Sequence, residues 1–191
     1  MLTVSPQARK LSLLVLVAAF AVTAHANILA TATYTDTQVS PGVFDYNITL
    51  NNTGTTTIGT FWFSWVPGAG FMSVTPTDIT SPTGWTDKTT NGGAAIQWTT
   101  TADLLAPGDS LTGFSFESTE TPAQLLLDFT GTGTGAGDPI TTTTVYAGAP
   151  MVGADDIFTV TPTPEPGTML LTLTGLGLAA ASLKSRLLRQ S

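Results

Sequence analysis

Hydrophobic and polar residues alternate along several short stretches in the middle of the chain. The apolar positions of three such stretches are Phe44, Tyr46, Ile48 and Leu50; Phe61, Phe63 and Trp65; and Leu125, Leu127 and Phe129. A period of two places each set on one face of a β-strand. Turn-forming residues break the pattern about every ten residues, at 41–42, 52–54, 67–68, 91–92, 107–108 and 131–139. We therefore predict an all-β domain of eight or nine antiparallel strands in a two-sheet sandwich over residues 27–160.

One segment of this domain resembles a known kind of sandwich. Residues 105–111 form a Pro-Gly turn and are followed by Phe114 and Phe116 at alternate positions. The segment is similar to the turn-then-strand stretch of exported immunoglobulin-like and carbohydrate-binding-module-like domains. The resemblance favours the sandwich and carries little information about function.

A pair of tryptophans is expected across one hairpin. If Asn91-Gly92 forms a two-residue type I′ turn, Thr90 faces Gly93 and Trp85 lies directly opposite Trp98. Such a pair stabilises a hairpin by about 0.2–1 kcal/mol relative to alanine, which accounts for its presence without a ligand. The functional alternative is a planar platform on which sugar rings stack.

The first 26 residues have the three parts of a secretory signal peptide. Arg9 and Lys10 precede an apolar run, 11–22, and the small residues Ala24 and Ala26 precede Asn27. We predict cleavage by signal peptidase after Ala26, because small residues at these two positions fit its narrow pockets. The alternative is a retained N-terminal anchor, for which the run is short.

The C-terminal region also has three parts in order. A proline-rich segment, 161–167, precedes an uncharged run that we predict to be a transmembrane helix at about 167–184. Basic residues follow at Lys184, Arg186 and Arg189 and predict a cytoplasmic C-terminus. A buried amphipathic helix is the alternative, although the apolar residues surround the whole circumference of the predicted helix.

These C-terminal features resemble the PEP-CTERM sorting signal. Pro164-Glu165-Pro166, the apolar segment with Gly175 and Gly177, and the basic terminus stand in the family's order. The resemblance covers about the last 28 residues and implies recognition by an exosortase, a membrane-embedded transpeptidase. It further implies cleavage near the motif and transfer from the inner membrane to the cell surface or the extracellular polysaccharide. It says nothing about what the central domain binds.

The charge distribution separates the two ends from the domain between them. Thirteen acidic residues and one basic residue, Lys88, lie between Asp36 and Glu165, which gives this segment a formal charge of −12. We therefore expect no nucleic-acid partner, because phosphate binding needs clustered Lys and Arg. The chain has no cysteine, and its one histidine, His25, belongs to the predicted signal peptide. The mature domain thus lacks the residues of a Ser-His-Asp or Cys-His system and the usual zinc ligands.

Carboxylates are the remaining candidates for chemistry. A glycosidase needs two of them on either side of the scissile bond, and the candidates are Asp103, Asp109, Glu117, Glu120 and Asp128. Asp155-Asp156, with Asp138, could bind calcium through oxygen ligands, but no EF-hand pattern is present. We predict no catalytic residue, no metal site and no cofactor.

The function predicted from these features is that of a noncatalytic, exported surface or extracellular-matrix protein, sorted by an exosortase through its C-terminal signal. Exopolysaccharide is the expected surrounding or partner. The alternative is an extracellular carbohydrate-binding module on the same tail, with Trp85, Trp98 or the Phe61-Trp62-Phe63 strand as the sugar-stacking residues.

Overall fold

The computed structural model of the protein describes residues 27–163, and this part of the chain is an all-β, two-sheet sandwich, as predicted. Two five-stranded sheets and one two-stranded sheet contain twelve strands, more than the eight or nine predicted, and three of the twelve have only two residues. The strands are β1 (Ala30–Ser40), β2 (Val43–Asn52), β3 (Thr60–Phe63), β4 (Trp65–Val66), β5 (Ala69–Gly70), β6 (Thr77–Thr80), β7 (Thr86–Thr90), β8 (Ala95–Thr99), β9 (Ser110–Ser118), β10 (Thr142–Gly148), β11 (Val152–Thr159) and β12 (Thr161–Pro162). A short α-helix, α1, spans Pro122–Leu125, and a 3₁₀ turn spans Asn91–Gly93.

The strand order explains how the two layers form. The first sheet has the order β12-β1-β2-β9-β6 and the second has the order β11-β10-β3-β8-β7. Neighbouring strands are antiparallel except β12, which runs parallel to β1. β1 and β2 form the longest hairpin, whose turn contains Gly42 at a φ of 77°. Most residues other than glycine would be strained at that φ, which explains why a glycine occupies this position.

The interior between the sheets is filled largely by aromatic rings. Phe114 of β9 contacts Phe61 at a centroid distance of 5.1 Å and Trp98 at 5.4 Å, both in edge-to-face geometry. Phe116, two residues further along β9, stacks on Tyr46 and also contacts Phe63 at 5.1 Å. These rings come from both sheets, so the alternation seen in the sequence directs them into one core.

Two of the three alternating stretches differ from the prediction. Phe61 and Phe63 face the core, but Ser64 has a φ of 56°, which interrupts the strand and turns Trp65 to the outer face of the second sheet. The stretch that contains Leu127 and Phe129 is not a strand, because α1 ends at Leu125 and an irregular loop follows. A period of two over only three apolar residues was insufficient to identify a strand there.

The described sandwich extends slightly beyond the predicted domain boundary at residue 160. Thr161 and Pro162 pair with Thr33 and Tyr34 as an edge strand. Among residues 27–163, no helix is long and apolar enough to cross a membrane. The predicted signal peptide and the predicted transmembrane helix lie outside the described residues.

We expect the Phe114→Ala substitution to lower the free energy of unfolding by about 3–5 kcal/mol, because it removes a fully buried ring that contacts both layers. Chemical denaturation followed by tryptophan fluorescence measures the loss. Leu126→Ala, at an exposed position, is the control and should change stability by less than about 0.5 kcal/mol. Equal effects of the two substitutions would show that Phe114 does not join the sheets.

Candidate functional site

The hairpin that carries Trp85 and Trp98 has a different register from the predicted one. Thr90 pairs with Ala95, and Asp87 lies opposite Trp98. The connection has four residues, 91–94, because Asn91, Gly92 and Gly93 all adopt positive φ values of 52°, 71° and 96°. The predicted two-residue turn is therefore wrong, and Trp85 is displaced by two residues from the position opposite Trp98.

Trp85 and Trp98 are core residues. Their exposed fractions are 5% and 0%, and both rings meet Phe114 edge to face. The indole N–H of Trp85 donates to the Asp103 carbonyl at 3.0 Å, and that of Trp98 donates to the Thr80 carbonyl at 2.8 Å. The interpretation of the two tryptophans as a sugar-stacking platform is wrong, since a platform needs an open ring face.

The other two tryptophans form a separate cluster on the outer face of the second sheet. Trp62 and Trp65 stack at a centroid distance of 3.6 Å and an interplanar angle of 6°. The Trp62 indole donates to Thr90 Oγ1 at 2.9 Å, and Tyr146 packs beside Trp65. All three rings are buried. Within residues 27–163, Phe44, Phe129 and Phe158 are half-buried, and every other aromatic side chain is buried.

A cavity of about 300 Å³ lies where the end of β9 meets the loop after α1. Apolar and polar side chains both line it: Phe71, Met72, Ser73, Glu120, Gln124, Leu127, Asp128, Phe129, Thr130 and Ile140. The rings of Phe71 and Phe129 contact each other at 4.9 Å. A concave site with apolar walls and a few converging polar groups has the usual composition of a small-molecule site. We call it the Glu120 cavity.

Glu120 is the buried acid of this cavity, with an exposed fraction of 3%. Its Oε1 atom accepts from the Ser73 amide at 2.8 Å and from the Ser73 hydroxyl at 2.5 Å. Its Oε2 atom is covered and has no hydrogen-bond partner. A buried carboxylate oxygen without a donor is energetically unfavourable, so Oε2 is a place where a ligand donor would be stabilising.

Backbone contacts also fix Glu120. Its N–H donates to Ser118 Oγ at 3.1 Å, and its carbonyl accepts from the Tyr46 hydroxyl at 2.5 Å. Burial, and secondarily the Asp36 carboxylate, raises the pKa of Tyr46 well above its usual value of 10.0. Tyr46 therefore remains a hydrogen-bond donor at physiological pH and holds the end of β9 in place.

The floor of the Glu120 cavity depends on a capped helix. Thr121 Oγ1 accepts from the Gln124 amide at 3.3 Å, and Gln124 Oε1 accepts from the Thr121 amide at 2.7 Å. This reciprocal capping box, with Pro122 as the first helical residue, starts α1 immediately after Glu120. The sequence T-x-x-Q after an acidic residue was the signal that could have revealed this turn.

A glycine-rich loop, 131–137, packs against the aromatic pair of the cavity. The Phe129 amide donates to the Asp138 carbonyl at 2.7 Å, and the Ile140 amide donates to the Leu127 carbonyl at 3.0 Å. A Cβ atom on Gly135 would lie 2.3 Å from the Phe71 ring, and one on Gly131 would lie 2.1 Å from the Phe129 ring. These glycines therefore let the loop approach the aromatic pair.

The structure brings together two of the five carboxylates considered for a glycosidase. Glu120 and Asp128 line the same cavity, whereas Asp103, Asp109 and Glu117 do not. Of the acidic residues considered for calcium, Asp156 has a structural partner, because its Oδ2 atom accepts from the Ala30 amide at 2.9 Å. Residues 27–163 contain no group of three acidic or histidine side chains placed to hold a metal ion.

The predicted sorting and processing residues cannot be placed, because they lie outside the described part of the chain. They are Ala24 and Ala26; Pro164, Glu165 and Pro166; and Lys184, Arg186 and Arg189.

Comparisons with known proteins give partial likenesses. No family model and no curated protein matches the chain. The solution structure of the chitin-binding domain of Chi18aC from Streptomyces coelicolor is similar at a TM-score of 0.32 and 26% identity, over 46% of this chain and 77% of that one. Two structures of the GH20 exo β-N-acetylglucosaminidase from Vibrio harveyi match 71% of this chain at TM-scores of 0.38 and 0.39 and identities of 11% and 12%. This chain spans 18% of that enzyme's length, and these low scores transfer no function to it.

A second acidic group lies on the outer face of the first sheet. Glu117 of β9 is paired in register with Asp45 of β2 and lies near Asp78 of β6. Partial desolvation, followed by the Asp78 and Asp45 carboxylates, raises the pKa of Glu117 above its ordinary value of 4.5. The folded protein thus binds this proton more tightly than the unfolded chain does, so the free energy of unfolding falls as pH rises through the raised pKa.

We expect Glu117→Gln to raise the melting temperature near neutral pH, because it removes a carboxylate that is repelled by its neighbours. The gain should disappear below about pH 4, where Glu117 is protonated in both states. Thermal unfolding followed by circular dichroism at several pH values measures it. A stability gain that is the same at all pH values would contradict this assignment of the pKa.

Proposed function

We propose that this protein is a noncatalytic, exported surface or extracellular-matrix protein whose two ends are processed and whose sandwich is the mature part. Signal peptidase removes residues 1–26, and an exosortase recognises Pro164-Glu165-Pro166 and cleaves near it. The inner membrane holds the chain transiently, with the C-terminus in the cytoplasm. The mature domain then resides at the cell surface or in the exopolysaccharide.

One observation carries this proposal: the hydrogen bonds of the sandwich reach residues 27 and 163. The Asn27 amide donates to Thr55 Oγ1 at 2.9 Å, and the Thr55 amide donates to the Asn27 carbonyl at 2.8 Å. At the other limit, the Thr163 amide donates to the Tyr34 carbonyl at 2.8 Å. Both predicted processing points therefore lie directly outside a hydrogen-bonded domain. Cleavage after Ala26 would leave an α-amino group on Asn27, which can still donate to Thr55.

The last described strand suits its position at the sheet edge. β12 is the terminal strand of the first sheet, and it contains Pro162. Because the Thr163 amide points to β1, the nitrogen of Pro162 faces away from it, where no hydrogen bond is lost. Proline on an edge strand also hinders pairing with another chain. This supports a mature domain that remains a separate unit in a crowded matrix.

The residues that suggested the carbohydrate-binding alternative are not accessible to a sugar. Trp85 and Trp98 are buried, and so are the other two tryptophans, Trp62 and Trp65. A polysaccharide ligand would therefore have to use hydrogen bonds, a half-buried phenylalanine or the Glu120 cavity. For this reason we favour the noncatalytic surface role without a tryptophan platform.

The proposal predicts two processing events that intact-mass measurement can locate. In the native host, the wild-type protein outside the inner membrane should begin at Asn27 and lack the residues after the cleavage point near Pro164. Glu165→Gln should accumulate with its tail in the inner membrane, since the motif is altered. Cell fractionation followed by mass spectrometry distinguishes these forms.

The matched control is Glu117→Gln, which makes the same substitution within the sandwich and should leave processing unchanged. If the wild-type protein keeps its tail and stays in the inner membrane whether or not an exosortase is present, sorting by this route is excluded. Glu120 and Asp128 are the carboxylates that an enzyme would have to use. Release of reducing sugar from host exopolysaccharide that stops in Glu120→Gln would contradict the noncatalytic part of the proposal.

A further inference from the structure

The Glu120 cavity combines negative charge with apolar walls. Two carboxylate side chains, Glu120 and Asp128, line it together with the aromatic pair Phe71 and Phe129. The one basic side chain within residues 27–163 is Lys88, which lies on β7 in the second sheet and does not line the cavity. Residues 27–163 therefore supply no cation to balance this site.

The buried carboxylate is only half satisfied. Ser73 provides two donors to Oε1, and Oε2 has none. A buried charge is stabilised by a counter-charge that also donates hydrogen bonds. Ammonium is the simplest such group, because it has several N–H donors and a positive charge on a small nitrogen centre.

The aromatic rings beside Glu120 also suit an ammonium group that is carried on an apolar body. A cation near the face of a phenylalanine ring is attracted by the ring quadrupole, and the remaining apolar surface can contact an aliphatic body. The volume of about 300 Å³ is at the lower end of small-molecule sites and excludes a large ligand.

We propose that the Glu120 cavity binds an ammonium group carried on a small, partly apolar body. Glu120 Oε2 accepts the N–H, Asp128 adds long-range attraction from the exposed rim, and Phe71 and Phe129 contact the carbon atoms. Two sources offer this chemistry: a free organic amine and the amino group of a saccharide unit.

Access to Oε2 requires a small rearrangement. The atom is covered in this structure, so a ligand reaches it only if a neighbouring group moves. We expect the Leu127 side chain to move, because it lines the cavity and 61% of its surface is exposed. Its movement breaks no hydrogen bond.

The test compares an ammonium ion with its neutral counterpart on the full-length wild-type protein. Cyclohexylammonium and cyclohexanol have the same ring and differ in charge, and NMR titration monitors the Phe71 and Phe129 resonances. We expect saturable binding of cyclohexylammonium that shifts both rings, and binding of cyclohexanol at least about tenfold weaker. Equal binding of the two, or binding of neither, overturns the proposal.

Variants then test the assigned residues. Glu120→Gln should weaken cyclohexylammonium binding by about tenfold or more, because it removes the buried charge and keeps the shape. Asp109→Asn removes one charge at the far end of β9, well beyond the range of screened electrostatics, and should leave affinity unchanged. Equal affinity of wild type and Glu120→Gln would refute the role of Glu120.

A second variant covers the case in which Glu120→Gln fails to fold. Leu127→Lys places a tethered ammonium at an exposed rim position and should weaken binding by about tenfold, whereas Leu127→Gln should weaken it less. Equal affinities of these two variants would contradict the proposal.

Glucosamine and glucose, compared in the same titration, identify the source of the ligand. Binding of glucosamine that exceeds binding of glucose assigns the site to amino groups of saccharides. If cyclohexylammonium binds and glucosamine does not, the site is assigned to free amines. Both outcomes support an ammonium site, and neither depends on how the chain is sorted.

Discussion

The contact between Phe114 and the aromatic rings around it is the interaction on which the sandwich depends. This side chain leaves β9 in the first sheet and meets Phe61, Trp85 and Trp98 at centroid distances of 5.1–5.4 Å. Without cysteine, the domain has no disulfide to replace this packing. The same arrangement buries Trp85 and Trp98. Rings that hold the layers together cannot also stack on a ligand, so these two tryptophans do not form a sugar-binding platform.

The sequence predicted the part of the fold that follows from strand periodicity. The alternation of Tyr46, Ile48 and Leu50 reports burial on one face, and the structure places these residues in the core. The hairpin register failed because Gly93 adopts a positive φ in addition to Asn91 and Gly92, which lengthens the connection. Loop length of this kind depends on tertiary contacts, here the approach of Gly93 to Thr75, which sequence spacing does not reveal.

The candidate site was harder to predict than the fold. Glu120 was one of five carboxylates considered as candidates for a glycosidase. Nothing in the sequence distinguished it from the other four or indicated that its side chain is buried. Its position results from contacts far apart in the chain, with Ser73 on one side and Tyr46 on the other. The capping box at Thr121 was readable, but it indicates only that a helix starts there. A cavity forms where distant segments meet, so composition and period cannot locate it.

Basic residues are scarce in the described domain, and this determines which partners the Glu120 carboxylate can have. With Lys88 as the only basic side chain in residues 27–163, a buried carboxylate must rely on hydrogen-bond donors or an external cation. The hydrogen bonds of the sandwich include Asn27 and Thr163, the residues next in sequence to the two predicted processing points. Stability, ligand binding and sorting have different readouts and can be tested independently.

The most direct test of this account is the unfolding of a protein that consists of residues 27–163 alone. If the aromatic core holds the two sheets together without either end, this fragment will unfold in one cooperative transition. It will also show a strong near-ultraviolet circular dichroism signal from its immobilised tryptophans. A fragment with strand content but no near-ultraviolet signal and no cooperative transition would contradict the account.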